Sequence, residues 1–242
     1  MEQWQDSAII LAVRAHGESG AIVSLLSENH GRYAGYVRGR NGAKMRGTLE
    51  VGNKVDAHWQ SRVSDGLGWL KLELETPYAA RNMGDALRLG ALQSACALCD
   101  AALPERDGHA GLLHGLEALF ETLDSDVWAA AYIMWEIALL KELGFSLNLT
   151  ACAGGGDADD LAYVSPKTGR AVSRVEGAIY KEKLLPLPKF LRPQRDGEMS
   201  AEALIEGFQM TGYFMDHWVF AQHSNGTPEA RRMLGRRLEK GA

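Results

Sequence analysis

Arg32–Arg46 (RYAGYVRGRNGAKMR) is the stretch on which the reading of the fold turns. Tyr33–Arg40 alternates like a β-strand: Tyr36, Arg38 and Arg40 share one pleat face, while Tyr33, Val37 and the small Gly35 and Gly39 share the other. Asn41–Gly47, rich in Gly and Lys, reads as a mobile loop. The stretch carries Arg32, Arg38, Arg40, Lys44 and Arg46 and no acid. A cationic strand edge with an aromatic neighbour and a basic loop suits a polyanion that also offers flat bases to stack on. A solvated strand face would show the same pattern.

Outward from this stretch, residues 4–76 read as β-structure. Ser7–Arg14 places Ile9, Leu11 and Val13 on one face, and Ala21–Ser27 follows a Gly-rich turn. Thr48–Trp59 breaks at Val51-Gly52-Asn53, and Leu67–Glu75 sets Leu70, Leu72 and Leu74 against Lys71, Glu73 and Glu75. Short strands with glycines at the bends suit a small closed barrel, either the five-stranded oligonucleotide-binding (OB) type or an SH3-like one. Pro77 closes the run.

Beyond Met83 the period becomes helical, over Asp85–Ala102, Gly111–Leu123 and Asp126–Leu143. The last is apolar nearly all round, as expected of the buried centre of a bundle, with N-cap candidates at Asp124-Ser125-Asp126 and an αL stop at Gly144. Residues 145–198 read as an irregular insert holding a hairpin, Leu161–Ser165 with Ala171–Arg174, then prolines that forbid regular structure. Helix returns over Ser200–Gln222 and Pro228–Lys240. In the last helix Arg232, Arg236, Arg237 and Lys240 fall on one side and Leu234 and Leu238 on the other.

Composition bounds the function. The 242 residues hold 26 Lys and Arg against 31 Asp and Glu, a net charge of −5, so nucleic-acid binding would rest on local patches. Met1-Glu2-Gln3 lacks a secretory signal, no apolar run approaches the ~20 residues of a membrane span, and 3 cysteines suit a reducing cytoplasm. Cys96 and Cys99 have zinc-site spacing but sit in an Ala/Leu helix with no second pair, and Cys152 stands in a glycine loop. Gly154-Gly155-Gly156 is no phosphate loop, being followed by Asp157, Asp159 and Asp160. The 7 histidines are scattered and no serine sits in a nucleophile elbow. No enzyme, metal or cofactor is expected. Trp59 reads either as a stacking residue or as a plug at the barrel end.

Several blocks resemble the bacterial RecO family of DNA repair proteins in its alphaproteobacterial form. They include Trp4-Gln5-Asp6 with Ile9-Ile10-Leu11, His30-Gly31-Arg32, Val37-Arg38-Gly39, Val51–Val55 and Leu139–Phe145. The most specific is DDLAYVSPKTGRAVSR, residues 159–174, followed by Leu184–Pro188. The resemblance implies an α+β multi-domain chain: an OB-fold barrel over 1–78, then an α-helical domain over 79–242. Its insert, at about 145–198, is zinc-ribbon-like in some members. Here Cys152 has Gly155 where a partner cysteine would stand, so no zinc is expected.

The implied function is a mediator of recombinational repair in the RecF pathway, located in the cytoplasm with the nucleoid. It would bind single- and double-stranded DNA, anneal complementary strands, grip the C-terminal tail of single-strand-binding protein and, with RecR, help to load RecA. The residues expected to meet DNA are Arg32, Tyr36, Arg38, Arg40, Lys44, Arg46, Arg232, Arg236 and Arg237. The alternatives are an adaptor whose barrel binds a partner subunit, and a metal-dependent nuclease using the acids at 157–160.

Overall fold

The computed structural model describes residues 2–63, 66–194 and 199–241; positions 195–198, which close the expected insert, lie outside them. The chain groups into two compact units, Met1–Asp124 with Pro228–Leu234, and Ser125–Thr227 with Gly235–Ala242.

In the first unit β1 (Glu2–His16), β2 (Gly20–Ser27), β3 (Gly31–Val37), β4 (Lys54–Ser61) and β5 (Gly68–Thr76) close a barrel in the order β1-β2-β3-β5-β4. The long β1 closes it by pairing antiparallel with β4 through residues 2–9 and with β2 through residues 8–16. The parallel contact is β3 with β5, at Gly35–Gly68 and Tyr36–Trp69.

The inside of β1 is not the row expected from alternation. Ala8 and Ile10 line the barrel core, and a bulge between Ile10 and Ala12 shifts the parity so that Val13 joins them. Ile9 and Leu11 point the other way and are equally buried, since β1 packs there against α3 (Ala86–Ala102). With both faces covered, period-2 patterning carries no sign of which face is inside. Leu74, expected to pair with Leu70 and Leu72, is 40% exposed near the end of its strand.

Trp59 is the plug: it is 1% exposed and its indole N–H donates to the Ala34 carbonyl at 3.1 Å. Two glycines facing each other across β3 and β5 make its space. A Cβ on Gly68 would lie 2.2 Å from the indole, and one on Gly35 would lie 2.6 Å from Leu70 and 3.2 Å from the indole.

The expected mobile loop is partly helix. α1 (Ala43–Thr48) places Met45 and Leu49 against the barrel core, and Asn53 holds its end by donating to the Gly47 and Thr48 carbonyls. The Asn53 oxygen accepts the Ala79 N–H of α2 (Tyr78–Asn82), so its amide is satisfied on both sides. α3 starts at an Asp85 cap that accepts from Leu87 and Arg88 and packs on β1 and β2, and α4 (Ala110–Thr122) packs on β2.

In the second unit α5 (Trp128–Glu142) packs on α7 (Ala201–Phe214). α5 begins at Val127 without a side-chain cap, so none of the residues 124–126 caps it, whereas Gly144 does take the left-handed stop at φ 88°. Glu136, on a helix apolar nearly all round, is fully buried and receives the Thr211 hydroxyl of α7.

The insert hairpin, β6 (Leu161–Val164) and β7 (Ala171–Ser173), gains a third strand, β8 (Leu185–Pro186), in the order β7-β6-β8. The prolines therefore admit a short strand at the sheet edge, where a missing N–H costs nothing. α6 (Arg174–Gly177) follows β7. The helix expected over 200–222 starts at its Ser200 cap but gives way at Met215–Val219 to a π turn, closed by Phe220 N–H to Met215 O at 2.8 Å. α8 (Glu229–Gly241) follows; the Thr227 hydroxyl donates to Asp216.

Candidate nucleic-acid interface

β3 ends at Val37, three residues short of the expected strand. Gly39 turns at φ 72° and the Arg40 N–H meets the Ser19 carbonyl at 2.9 Å. Arg38 is thereby set on a turn, and Lys44 and Arg46 on α1, all exposed. None of the three forms an ion pair among the described residues, so their charge is available to solvent. Arg40 is half-buried.

Arg32 is a different kind of residue. Its Nε donates to the Leu103 carbonyl at 2.8 Å, its Nη1 lies 3.7 Å from Asp100 and 3.4 Å from Glu105, and its side chain is 18% exposed. Its charge is spent inside the first unit, fastening β3 to the end of α3, and it is set apart from the exposed cations.

Tyr36 does face outward, in the space left by Gly20, where a Cβ would lie 2.1 Å from the phenol oxygen. It meets Trp69 edge-on at 5.0 Å, and the Arg38 guanidinium lies over the Trp69 ring at 4.9 Å from its centroid. Trp69 is 46% exposed and is the residue that sequence reading passed over. Its signal was present: in Gly68-Trp69-Leu70-Lys71-Leu72 the tryptophan has the parity of Lys71, not of the leucines. Such a ring on a polar face is one of the exposed aromatics that call for a partner.

Trp69 borders two hollows. One, of about 690 Å³, runs by Arg38, Gln60, Arg62 and Leu67; the other, of about 620 Å³, by Gln3, Gln5, His58 and Lys71. Toward the far end of this face Lys71 donates to Glu73 at 2.9 Å; the contact holds the lysine above its ordinary pKa and the carboxylate below its own.

Trp4 supports the face from within, stacked on His30 at 4.6 Å and on Trp59 at 5.9 Å. Next to it burial pushes the Asp6 carboxyl up, but hydrogen bonds from the Asn29 N–H, His30, the Asn29 amide and Ser27 outweigh this and hold its pKa below the ordinary value.

On α8 Arg232, Arg236, Arg237 and Lys240 are exposed and Leu234 is buried, as expected. Arg231 is buried too, and Arg232 pairs with Glu229 at 2.8 Å. In the insert Arg174 pairs with Asp160 at 3.3 Å, and Asp157 accepts the Asp159 N–H. The second unit also holds a small apolar hollow of about 160 Å³ lined by Met134, Ile137, Leu149, Phe190 and Leu191.

The cysteines are spent on packing and local bonds. Burial pushes the Cys96 thiol well up and the Cys99 thiol up to about 12. At Cys152 burial acts the same way but is outweighed by hydrogen bonds from Ser173, Gly154 and Gly156, which hold the thiol below its ordinary value. Gly155 offers no ligand beside it. Among the described residues no group of three or more His, Cys, Asp or Glu could hold a metal ion, and no helix is long and apolar enough to cross a membrane.

A closed five-stranded barrel with a cationic aromatic edge, joined to a helical region, defines the class. Residues 1–78 match the family described as Recombination protein O N terminal, and residues 83–224 match Recombination protein O C terminal. The chain belongs to the RecO family. It is 48% identical over 240 residues to a protein of Rhodospirillum centenum named DNA repair protein RecO, covering 98% of this chain and 95% of that one. Proteins of the same name from Rhodospirillum rubrum and Caulobacter vibrioides (strain NA1000 / CB15N) are 43% identical over 246 residues and 42% over 237, covering 99% and 98% of this chain and 98% and 97% of theirs.

Proposed function

We propose that this protein is a non-catalytic mediator of DNA repair and recombination in the RecF pathway. It binds single- and double-stranded DNA, anneals complementary strands and, with RecR, helps to load RecA onto DNA coated with single-strand-binding protein. The observation that carries this reading is the set Arg38, Lys44 and Arg46, exposed and free of ion pairs among the described residues, on a barrel edge of a chain with net charge −5. The strand order, the parallel β3–β5 contact and the helix between β3 and β4 support an OB barrel over an SH3-like one.

Annealing breaks and makes no covalent bond. It needs two strands held while their phosphate repulsion is screened, which fixed cations supply. We assign DNA contact to Tyr36, Arg38, Arg40, Lys44 and Arg46, with a lesser share to Arg232, Arg236 and Arg237; Arg32, already paired, is left out. The working division is a DNA-binding part at 1–78 and a helical part at 79–242, whose 145–198 insert is ribbon-like and without zinc. The tail of single-strand-binding protein is assigned to the apolar hollow at Met134 and Phe190, beside Lys189 and Arg192.

Binding of a fluorescent single strand across a salt series tests the reading. Each phosphate contact contributes a log–log slope of roughly 0.7 for single strands, so R38E/K44E/R46E should flatten the slope by about 2 and abolish annealing. An unchanged slope and affinity in that variant would falsify the assignment.

A further inference from the structure

The strand register places four outward side chains in one row across the barrel. Tyr36 on β3 stands opposite Trp69 on β5, Trp69 opposite Gln60 on β4, and Gln60 opposite Gln3 on β1. We propose that this row is a stacking and edge-reading site for unpaired bases, by which the barrel selects single strands over duplex. The proposal rests on the reading that the barrel binds DNA, and it names the chemistry that the phosphate contacts do not supply.

Three observations carry it. Trp69 is 46% exposed, whereas on the inner side of the barrel Trp59 is 1% exposed and Trp4 and Tyr33 are half-buried. Its ring borders both hollows, whose volumes of about 620 and 690 Å³ lie within the ~300–1,000 Å³ of small-ligand sites. The Gln3 and Gln60 amides make no side-chain hydrogen bond among the described residues, so each offers donors and an acceptor to a base edge.

Arg38 over the ring and Arg62 on the rim of the larger hollow put positive charge where the backbone of a stacked strand would run. In duplex the faces of the bases are covered by their neighbours, so only an unpaired base can use the indole. From Tyr36 to Gln3 the row crosses three strand spacings, about 14 Å. That is room for about four nucleotides at the ~3.4 Å stacked repeat, the lower end of the ~4–16 that such barrels occupy.

The test measures affinity of the full chain for three 12-mers: oligodeoxythymidylate, an abasic chain of the same length, and a duplex. Wild type should favour the thymidylate over the abasic chain by on the order of tenfold or more. Trp69→Ala should erase that preference while leaving the salt slope and the duplex affinity as they were, and Trp69→Phe should retain most of it. Retention of the full preference by Trp69→Ala, or an equal loss on duplex, overturns the proposal. If wild type binds all three probes with equal affinity and a normal salt slope, this inference fails and the DNA-binding reading stands. If no probe shows salt-dependent binding, both fail.

Discussion

The barrel edge and α8 carry the same kinds of cation at similar spacing, and the structure treats them differently. On the barrel, Arg38, Lys44 and Arg46 face solvent without an ion pair among the described residues, next to an exposed indole and unpartnered amides. On α8, Arg231 is buried, Arg232 is held by Glu229, and neither Arg236 nor Arg237 is free of a partner. A surface ion pair adds little to stability, but it does pre-empt a phosphate. The contrast is between cations that the fold leaves without an ion pair beside an exposed ring and cations that it buries or pairs.

The largest expected effect breaks or upholds that contrast directly. R38E/K44E/R46E should cut single-strand affinity at low salt by on the order of a hundredfold, while R232E/R236E/R237E should cut it by about tenfold or less. The reverse order in a salt titration would make α8 the principal contact.

A second test asks whether the barrel face depends on the plug behind it. Trp59→Ala removes a fully buried ring and should cost about 3–5 kcal/mol, read from urea unfolding. A cost below 1 kcal/mol would return Trp59 to the stacking role. Gly68→Ala pushes a methyl into the same indole and should cost about 1–3 kcal/mol. A neutral result would show that the plug shifts freely, and the Trp69 row with it.

The smallest effect is in acid. Asp6 has its pKa held below the ordinary 3.8, so it contributes stability that is present above that value and is lost as pH falls through the lower, folded pKa. Asp6→Asn should therefore be less stable than wild type at pH 7 and approach it below about pH 4. Parallel unfolding curves for the two proteins from pH 7 to 3 would rule out this role in holding the His30–Asn29 turn.

Where sequence reading went astray, the reasons are specific. At Leu11 a bulge changed the parity, and burial of both faces of β1 removed the polar half of the pattern that would have marked it. Arg32 looked like its neighbours because its partners, Leu103, Asp100 and Glu105, lie about seventy positions away in the chain. The Asn41–Gly47 segment has the composition of a loop; its helix is held by Met45 and Leu49 in the barrel core and by Asn53 at its end. Trp69 was legible and was passed over, although its parity with Lys71 placed it outside.

By itself the sequence determined the five strands, the change to helical period near residue 83, the insert hairpin, and the basic stretch from Arg32 to Arg46, all features that short-range periodicity and turn chemistry encode. Only the tertiary structure decided which of those cations stay free, that Trp59 is inside and Trp69 outside, and that Tyr36, Trp69, Gln60 and Gln3 form one row. That row is a matter of register between strands distant in the chain, and alternation along a strand fixes the face of a residue but not its neighbour across the sheet.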